Sequence, residues 1–250
     1  MQCAILAGGL GTRVAALAPS VPKALIPVGG EPFASHQLSL LSQAGIRRVV
    51  YCIGHRGDAI RDFVGGGDRW GLEVAYVEDG DILLGTAGAL RRAFDAGALD
   101  PAFFVLYGDS YLPIDYRAVW HAFVSKGTPA LLTVFRNAGR WDTSNVLFEG
   151  GRVVLYDKRR EDPRSAQMVH IDYGLSVLTR EVLTELVPSG ACVDLADVYK
   201  ALSLEGELAG HEVHQRFYEA GSPSGLEDLE RYLEEHSRLE QSRRGGRSTP

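Results

Sequence analysis

The chain has 250 residues, 45% of them hydrophobic and 23% charged, a size and balance that allow a buried core and exclude both a disordered chain and a small disulfide scaffold. A formal net charge of −6 leaves no basic excess to favour nucleic acid or an anionic membrane, so an anionic ligand would have to be held by local groups. Cys3, Cys52 and Cys192 are odd in number and widely spaced without a C-x-x-C, which argues against disulfides and a zinc site and predicts a reducing, cytoplasmic setting.

Met1-Gln2 leads directly into an apolar run, Cys3 to Ala7, too short for a signal peptide or a membrane span. Ala4 to Leu6, Val49 to Ile53, Val74 to Val77 and Phe103 to Tyr107 read as buried strands, because each is brief and rich in β-branched, aromatic or aliphatic residues. Helical spacing lies between them: Ala34, Leu38 and Leu41 after Pro32; Ile60, Phe63 and Val64 after an N-cap at Asp58; and Tyr116, Val119, Trp120 and Phe123. Beyond Thr128 the pattern changes. Ala130 to Phe135 is strand-like, Asn145 to Phe148 and Val153 to Tyr156 flank a Glu149-Gly150-Gly151-Arg152 hairpin turn, and His170 to Leu178 is a further strand. Val182, Leu183 and Leu186 start a helix that Pro188 must stop, and Leu226, Leu229 and Leu233 make a last amphipathic helix. The prediction is an α/β fold with a doubly wound, mainly parallel sheet over about 1–127. A smaller mixed α+β lobe follows over 128–222, then a helix over 223–240 and a disordered tail over 241–250. No repeat period is visible, so no solenoid extension is predicted. Apolar helices of the second part serve equally as core or as an interface in a homo-oligomer.

The strongest chemical signal is Leu6-Ala7-Gly8-Gly9-Leu10-Gly11-Thr12-Arg13, a glycine loop directly after the first strand. Glycines there let backbone N–H groups approach phosphate oxygens, and a following Arg offers a planar fork of donors. A dinucleotide fingerprint would place its third glycine on Val14 and an acid near Ile53-Gly54-His55, and neither fits. Walker A fails for want of G-K-[ST]. Ten residues on, Lys23 stands between Pro22 and Pro27 in a stretch stiffened by both, a setting that can aim an ammonium at a phosphate. Asp109 follows the apolar run Phe103 to Gly108, so its carboxylate should emerge at the carboxyl end of a central strand, where ligands of open α/β sheets bind. The glycine before it suggests crowding at a ligand.

The arrangement G-G-x-G-T-R, ten residues, then P-K-x-x-x-P-V resembles the signature of the sugar-1-phosphate nucleotidyltransferases. The likeness continues through Gly85-Thr86-Ala87-Gly88, Gly108-Asp109, Asp157-Lys158, Asp172-Tyr173-Gly174 and Glu219-Ala220-Gly221-Ser222-Pro223, thus over residues 1 to about 235. Short mannose- and heptose-1-phosphate guanylyltransferases look most similar. The resemblance implies a Rossmann-like, GT-A type fold and a Mg²⁺-dependent reaction of an NTP with a hexose or heptose 1-phosphate, giving a nucleotide sugar and pyrophosphate. A sugar phosphate is already a nucleophile, so in-line positioning and charge neutralisation suffice.

Carried over residue by residue, the resemblance implies that Leu6, Ala7, Gly8, Gly9, Gly11, Thr12, Arg13, Gly80, Gly85 and Thr86 hold the nucleotide. Arg13, Lys23, Asp109 and Lys158 carry the catalysis, Asp109 and Glu219 hold Mg²⁺, and Asn145, Asp157, Lys158 and Asp172 read the sugar phosphate. Four positions depart from the family: Glu219 replaces the usual Asp, Asp172 stands where relatives show Asn, Asn145 where many show Gly, and Gly80 where pyrimidine-using relatives often have Gln. The last favours GTP. An ionised Asp172 only accepts hydrogen bonds, which points to an unusual sugar. Arg159 and Arg160 read as a solvated loop, and Asp79 and Asp81, although they match a D-x-D, as surface acids. The seven histidines suggest no zinc site, since His211 and His214 lie three apart in a strand-like run. Two rival classes are a non-catalytic nucleotide sensor and a transferase for a non-sugar phosphorylated acceptor. Retention of Arg13, Lys23, Asp109 and Lys158 speaks against the first, and of Asp157-Lys158 and G-S-P against the second.

Overall fold

The computed structural model describes residues 1–9, 21–80, 83–137 and 139–245, with the backbone alone over 237–245. In chain order the elements are β1 (Gln2–Ala7), β2 (Pro27–Val28), β3 (Glu31–Pro32), α1 (Phe33–Gln43), β4 (Arg48–Ile53), α2 (Gly57–Val64), β5 (Glu73–Glu78) and α3 (Gly85–Asp95). Then come β6 (Ala102–Tyr107), β7 (Ser110–Tyr111), α4 (Tyr116–Lys126), β8 (Ala130–Arg136), β9 (Val146–Glu149), β10 (Arg152–Tyr156) and β11 (His170–Thr179). The chain continues with α5 (Arg180–Leu186), α6 (Leu195–Leu204), β12 (Leu208–Val213), β13 (Tyr218–Glu219) and α7 (Pro223–Gly245).

Nine strands form one sheet in the order β5-β4-β1-β6-β11-β8-β12-β10-β9. Both faces are covered, which is why its central strands are continuously apolar rather than alternating. Ile5, Tyr51, Phe104 and Leu106 pack under α1, α2 and α4. Ala4, Val50, Phe103 and Val105, one residue out of phase, pack under α3, α5 and α6. The doubly wound arrangement therefore holds. The predicted hairpin is β9–β10, its turn made by Gly150 (φ 56°) and Gly151 (φ 78°); two successive left-handed residues suit a tight hairpin and favour glycine.

The expectation of a mainly parallel sheet needs correction. β5, β4, β1 and β6 are parallel to one another, but β11 lies antiparallel to both β6 and β8, β12 is parallel to β8, and β10 and β9 are antiparallel. The sheet is mixed because β11 enters beside β6 in the opposite direction. The second part is also continuous with the first: Leu131 and Val177 share a core with Ile5, and Leu132 and Leu178 share the other with Ala4. The last helix runs on to Gly245, five residues past its expected end, and 246–250 lie outside the described residues. Helix α2 is entered from Arg56 in a left-handed conformation, with Asp58 inside the first turn instead of capping it.

Candidate active site

The carboxyl ends of the four parallel strands set out the site. Ala7 of β1 is paired with Ile53 of β4, and Ile53 with Glu78 of β5. The next residue of each strand is Gly8, Gly54 and Asp79, so these three stand side by side at the sheet edge. Backbone contact demands glycine at 54, where a Cβ would lie 2.8 Å from the Gly8 carbonyl, while a Cβ on Gly8 would lie 2.5 Å from Asp79 Oδ2 and displace that carboxylate. Gly108, at the end of β6, is held in the same way. Its N–H donates to the Leu6 carbonyl at 2.9 Å, and a Cβ there would meet that oxygen at 2.9 Å and the Ala7 Cβ at 3.0 Å. The crowding foreseen at Gly108 thus comes from β1 itself, and it fixes where Asp109 emerges.

Asp109 is brought together with Lys23 and Glu219. Lys23 Nζ donates to Asp109 Oδ2 at 2.9 Å, both side chains being partly exposed. Lys23 opens a single turn of 3-10 helix after Pro22, the stiff local geometry that the flanking prolines imply. Glu219 arrives by a separate route: β13 pairs with β7 so that Glu219 faces Ser110, and the Ala220 N–H donates to the Asp109 carbonyl at 2.8 Å. Asp109 Oδ2 and Glu219 Oε2 each lie 3.5 Å from the position a Gly221 Cβ would take. Two hard oxygen donors therefore flank a space that any side chain at 221 would fill. That donor set fits Mg²⁺, which takes one or two carboxylates and completes its shell with substrate phosphates and water. No group of three or more metal-binding side chains occurs among the described residues.

The predicted sugar residues form a second cluster, one strand further along the sheet. Asn145 Oδ1 accepts the Asp172 N–H at 2.9 Å, so its side chain serves the strand. Asp172 accepts from the Gly174 N–H at 2.9 Å and from the Tyr156 hydroxyl at 3.3 Å. Burial pushes its carboxyl up to about 6, against the opposing pull of those two donors and of Lys158. Lys158 itself is exposed. Asp157 is 1% exposed and already accepts from the Asp162 N–H (2.8 Å), the Ser165 hydroxyl (3.0 Å) and Lys200 Nζ (3.2 Å). Burial alone would raise its pKa, but these donors bring it below the usual carboxylate range. Its carboxylate is engaged within the loop that carries Lys158. Arg160, expected as a solvated residue, also ties that loop down, donating to the carbonyls of Ser144 and Ser165.

Of the predicted nucleotide residues, Leu6, Ala7, Gly8 and Gly9 line the end of β1, whereas Gly11, Thr12 and Arg13 lie outside the described residues. Gly80 has φ 78°, a left-handed position that favours glycine. Gly85 (φ 71°) begins α3, and a Cβ there would lie 2.5 Å from the Val193 carbonyl. The Thr86 hydroxyl donates to Asp194 Oδ1 at 3.1 Å and accepts the Leu195 N–H at 2.7 Å. The Gly85-Thr86 turn thus clamps the start of α6. Asp79 corrects the surface-acid expectation: it is 7% exposed, because β5 ends one residue earlier and turns its carboxylate against Gly8. Asp81 lies outside the described residues.

Sequence reasoning missed four residues around the site. Gln37, buried on α1, donates to the carbonyls of Tyr107 (3.0 Å) and Ser110 (2.8 Å) and so pins the turn that carries Asp109. Tyr107 ends β6, and its hydroxyl is pushed up by burial first and then by the charges of Asp172, Asp194 and Asp109. Asp194 caps α6 through the Ala196 N–H, and Lys200, on α6, reaches both Asp157 and Glu161. Asp194 had a readable signal, an N-cap residue ahead of the stripe Leu195, Val198, Tyr199 and Leu202.

Residues 3–236 match the model of the MobA-like NTP transferase domain. A UTP–glucose-1-phosphate uridylyltransferase from Synechocystis is 27% identical over 209 residues, 78% of this chain and 53% of that protein. A mannose-1-phosphate guanylyltransferase from Mycobacterium tuberculosis is 30% identical over 210 residues, 83% of this chain and 56% of that protein. The chain therefore spans about half the length of these two relatives. Among solved structures, HddC from Yersinia pseudotuberculosis complexed with GMP-PN superposes with a TM-score of 0.73 at 19% identity, covering 93% of this chain and 99% of that one, a likeness of fold. No helix among the described residues is long and apolar enough to cross a membrane. By the extent of the domain match and the glycine edge, Lys23 and Asp109 at their places in the fold, the chain belongs to the MobA-like NTP transferase domain family, alongside relatives named as sugar-1-phosphate nucleotidyltransferases.

Proposed function

We propose that this chain transfers a nucleotidyl group from an NTP, GTP by preference, to a hexose or heptose 1-phosphate, releasing pyrophosphate. The observation that carries this reading is the meeting of Lys23, Asp109 and Glu219 at the carboxyl edge of the parallel strands, beside the bare backbone of Gly8. Relatives that act on glucose 1-phosphate and mannose 1-phosphate support the acceptor class.

The triphosphate lies along the glycine loop, where Gly8, Gly9 and Gly11 supply N–H groups and Arg13 donates to phosphate oxygens. Lys23 turns from Asp109 toward the α- and β-phosphates and offsets their charge. Asp109 and Glu219 would hold Mg²⁺, which would supply positive charge to offset the negative charge of the reacting phosphates. Lys158 aims the sugar phosphate, while Asp157 acts through it by holding its loop, and Asp172 faces the sugar hydroxyls beside Tyr156. One oxygen of the sugar phosphate forms a bond to Pα as the bond from Pα to the bridging oxygen of the β-phosphate breaks, and pyrophosphate leaves with that electron pair. The attacking phosphate is ionised at neutral pH, so no proton transfer and no covalent enzyme intermediate is needed.

Asp109→Asn tests the assignment. It keeps the shape of the side chain while removing the charge that holds Lys23 and the metal. Pyrophosphate release is expected to fall at least ~100-fold with the melting temperature within a few degrees of the parent; unchanged Mg²⁺-dependent turnover would contradict the metal assignment.

A further inference from the structure

Asp109 stands in a turn that leaves the sheet. The last pairings of β6 are Leu106 with Leu175 and Tyr107 with Leu6, so the ladders end before Asp109 and other groups must hold its backbone. The Gly108 N–H donates to the Leu6 carbonyl at 2.9 Å, and the Asp109 carbonyl accepts the Ala220 N–H at 2.8 Å. A single side chain supplies two further bonds: Gln37 Nε2 donates to the Tyr107 carbonyl at 3.0 Å and to the Ser110 carbonyl at 2.8 Å. Gln37 therefore grips the turn on both sides of Asp109, from a position on α1 that is only 1% exposed.

That grip extends to the second carboxylate. Ser110 is the β7 residue that faces Glu219 of β13, so fixing Ser110 also fixes the strand that delivers Glu219. The amide has one orientation, because both partners are carbonyls and only its NH₂ end can donate. Its Oε1 is left buried without a partner, which costs stability; the other end of the amide gives both carboxylates a fixed place.

We infer that Gln37 is a positioning residue for nucleotidyl transfer: by bracketing Asp109 and anchoring the Ser110–Glu219 pairing, it sets the separation of the two carboxylates that would share Mg²⁺. The inference rests on the nucleotidyl-transfer reading above and adds to it a buried residue that acts only through Asp109 and Glu219. Separation matters because Mg²⁺ demands near-octahedral geometry with ligands at about 2.1 Å. Groups that orient metal ligands from behind are worth about 10- to 100-fold in metal affinity or activity. The glycine loop follows β1 and Lys23 sits on a turn of its own, so contacts to the triphosphate do not run through the Gln37 amide.

Titration calorimetry of the full chain with GTP, ATP, CTP and UTP in turn, once in EDTA and once in Mg²⁺, tests this without turnover. The unaltered chain is expected to bind its best NTP more tightly in Mg²⁺. Gln37→Met keeps the volume of the side chain and removes both donors. It should leave the Kd in EDTA unchanged and abolish most of the gain from Mg²⁺, with kcat lower by about 10- to 100-fold. Gln37→Glu keeps the shape and, while protonated, one donor, so at pH 6 it should lose less of the gain than Gln37→Met. A folded Gln37→Met variant that keeps the whole gain, or that loses affinity equally in EDTA and in Mg²⁺, would overturn the inference while leaving nucleotidyl transfer standing. Where Gln37→Met does not fold, Gln37→Glu decides by the same comparison. An unaltered chain that binds NTP equally in both buffers would overturn the metal assignment together with the inference, and binding of none of the four would overturn the nucleotidyl-transfer reading beneath them.

Discussion

Asp172 shows how one substitution within a family pattern changes the physics of a pocket. At the position where the resemblance implies an Asn, this chain carries a half-buried carboxyl whose folded-state pKa is about 6 against an ordinary value of 3.8. Between these values the unfolded chain has released the proton that the folded chain still holds, so stability falls as pH rises through this window and levels off above about 6. Asp172→Asn removes the titration while keeping an acceptor for the Gly174 N–H and a donor for Tyr156. Its melting temperature should therefore match the parent near pH 4 and exceed it at pH 7, and a difference independent of pH would refute the assignment. Asp157 has the opposite sign. Its pKa is depressed, so its contribution is present above the ordinary carboxylate range and is lost as the pH falls through it. The local sequence made the identity of these groups legible but not their environments. Asp157 and Asp172 look equally polar in the chain, and only the packing around them lowers the pKa of one and raises that of the other.

Among the elements, α6 links the two clusters. Its first turn is fastened to the Gly85-Thr86 turn through Thr86 and Asp194, and its exposed side reaches the Lys158 loop through Lys200. Lys200 is raised in pKa first by its hydrogen bond to Asp157. Lys200→Met should cost about 1 kcal/mol of stability and raise KM for the sugar phosphate several-fold. KM for the NTP should stay as it was, and Lys200→Arg should restore most of the loss. Equal effects on both substrates would show α6 to be merely structural. Elements with strong local periodicity, α1, α4 and the β9–β10 hairpin, were legible in sequence. Helix α3 was not, because its opening Gly-Thr-Ala-Gly has poor helix propensity and reads as a turn; its stability comes from burying Ala87, Leu90 and Ala93.

On the scale of the whole molecule, one mixed sheet carries both clusters of candidate site residues. The parallel strands β5, β4, β1 and β6 present the edge that carries Gly8, Gly54, Asp79 and Asp109, and β11, lying against β6, brings Asp172 alongside Tyr107 and Asp109. Nothing local in the sequence encodes that neighbourhood, since Leu106 and Leu175 are paired across the sheet yet far apart in the chain; this is why the second part read as a smaller mixed lobe of the one domain. Lys23, Asp109 and Glu219, singled out from motifs in the chain, are brought together by the fold, whereas most of the glycine loop lies outside the described residues. Gln37, Tyr107 and Asp79 were not legible in this way, since each acts through contacts that only the folded sheet creates.

The central claim is transfer of a nucleotidyl group to a sugar 1-phosphate. The most direct measurement incubates the chain with Mg²⁺ and each NTP labelled at the α-phosphorus, against a panel of hexose and heptose 1-phosphates, following label and pyrophosphate together. The account predicts that with one acceptor the α-label enters a nucleotide sugar in equal amount to the pyrophosphate released, GTP being the best donor. Label recovered only as unreacted NTP across the whole panel, or as free nucleoside monophosphate whatever the acceptor, would contradict it.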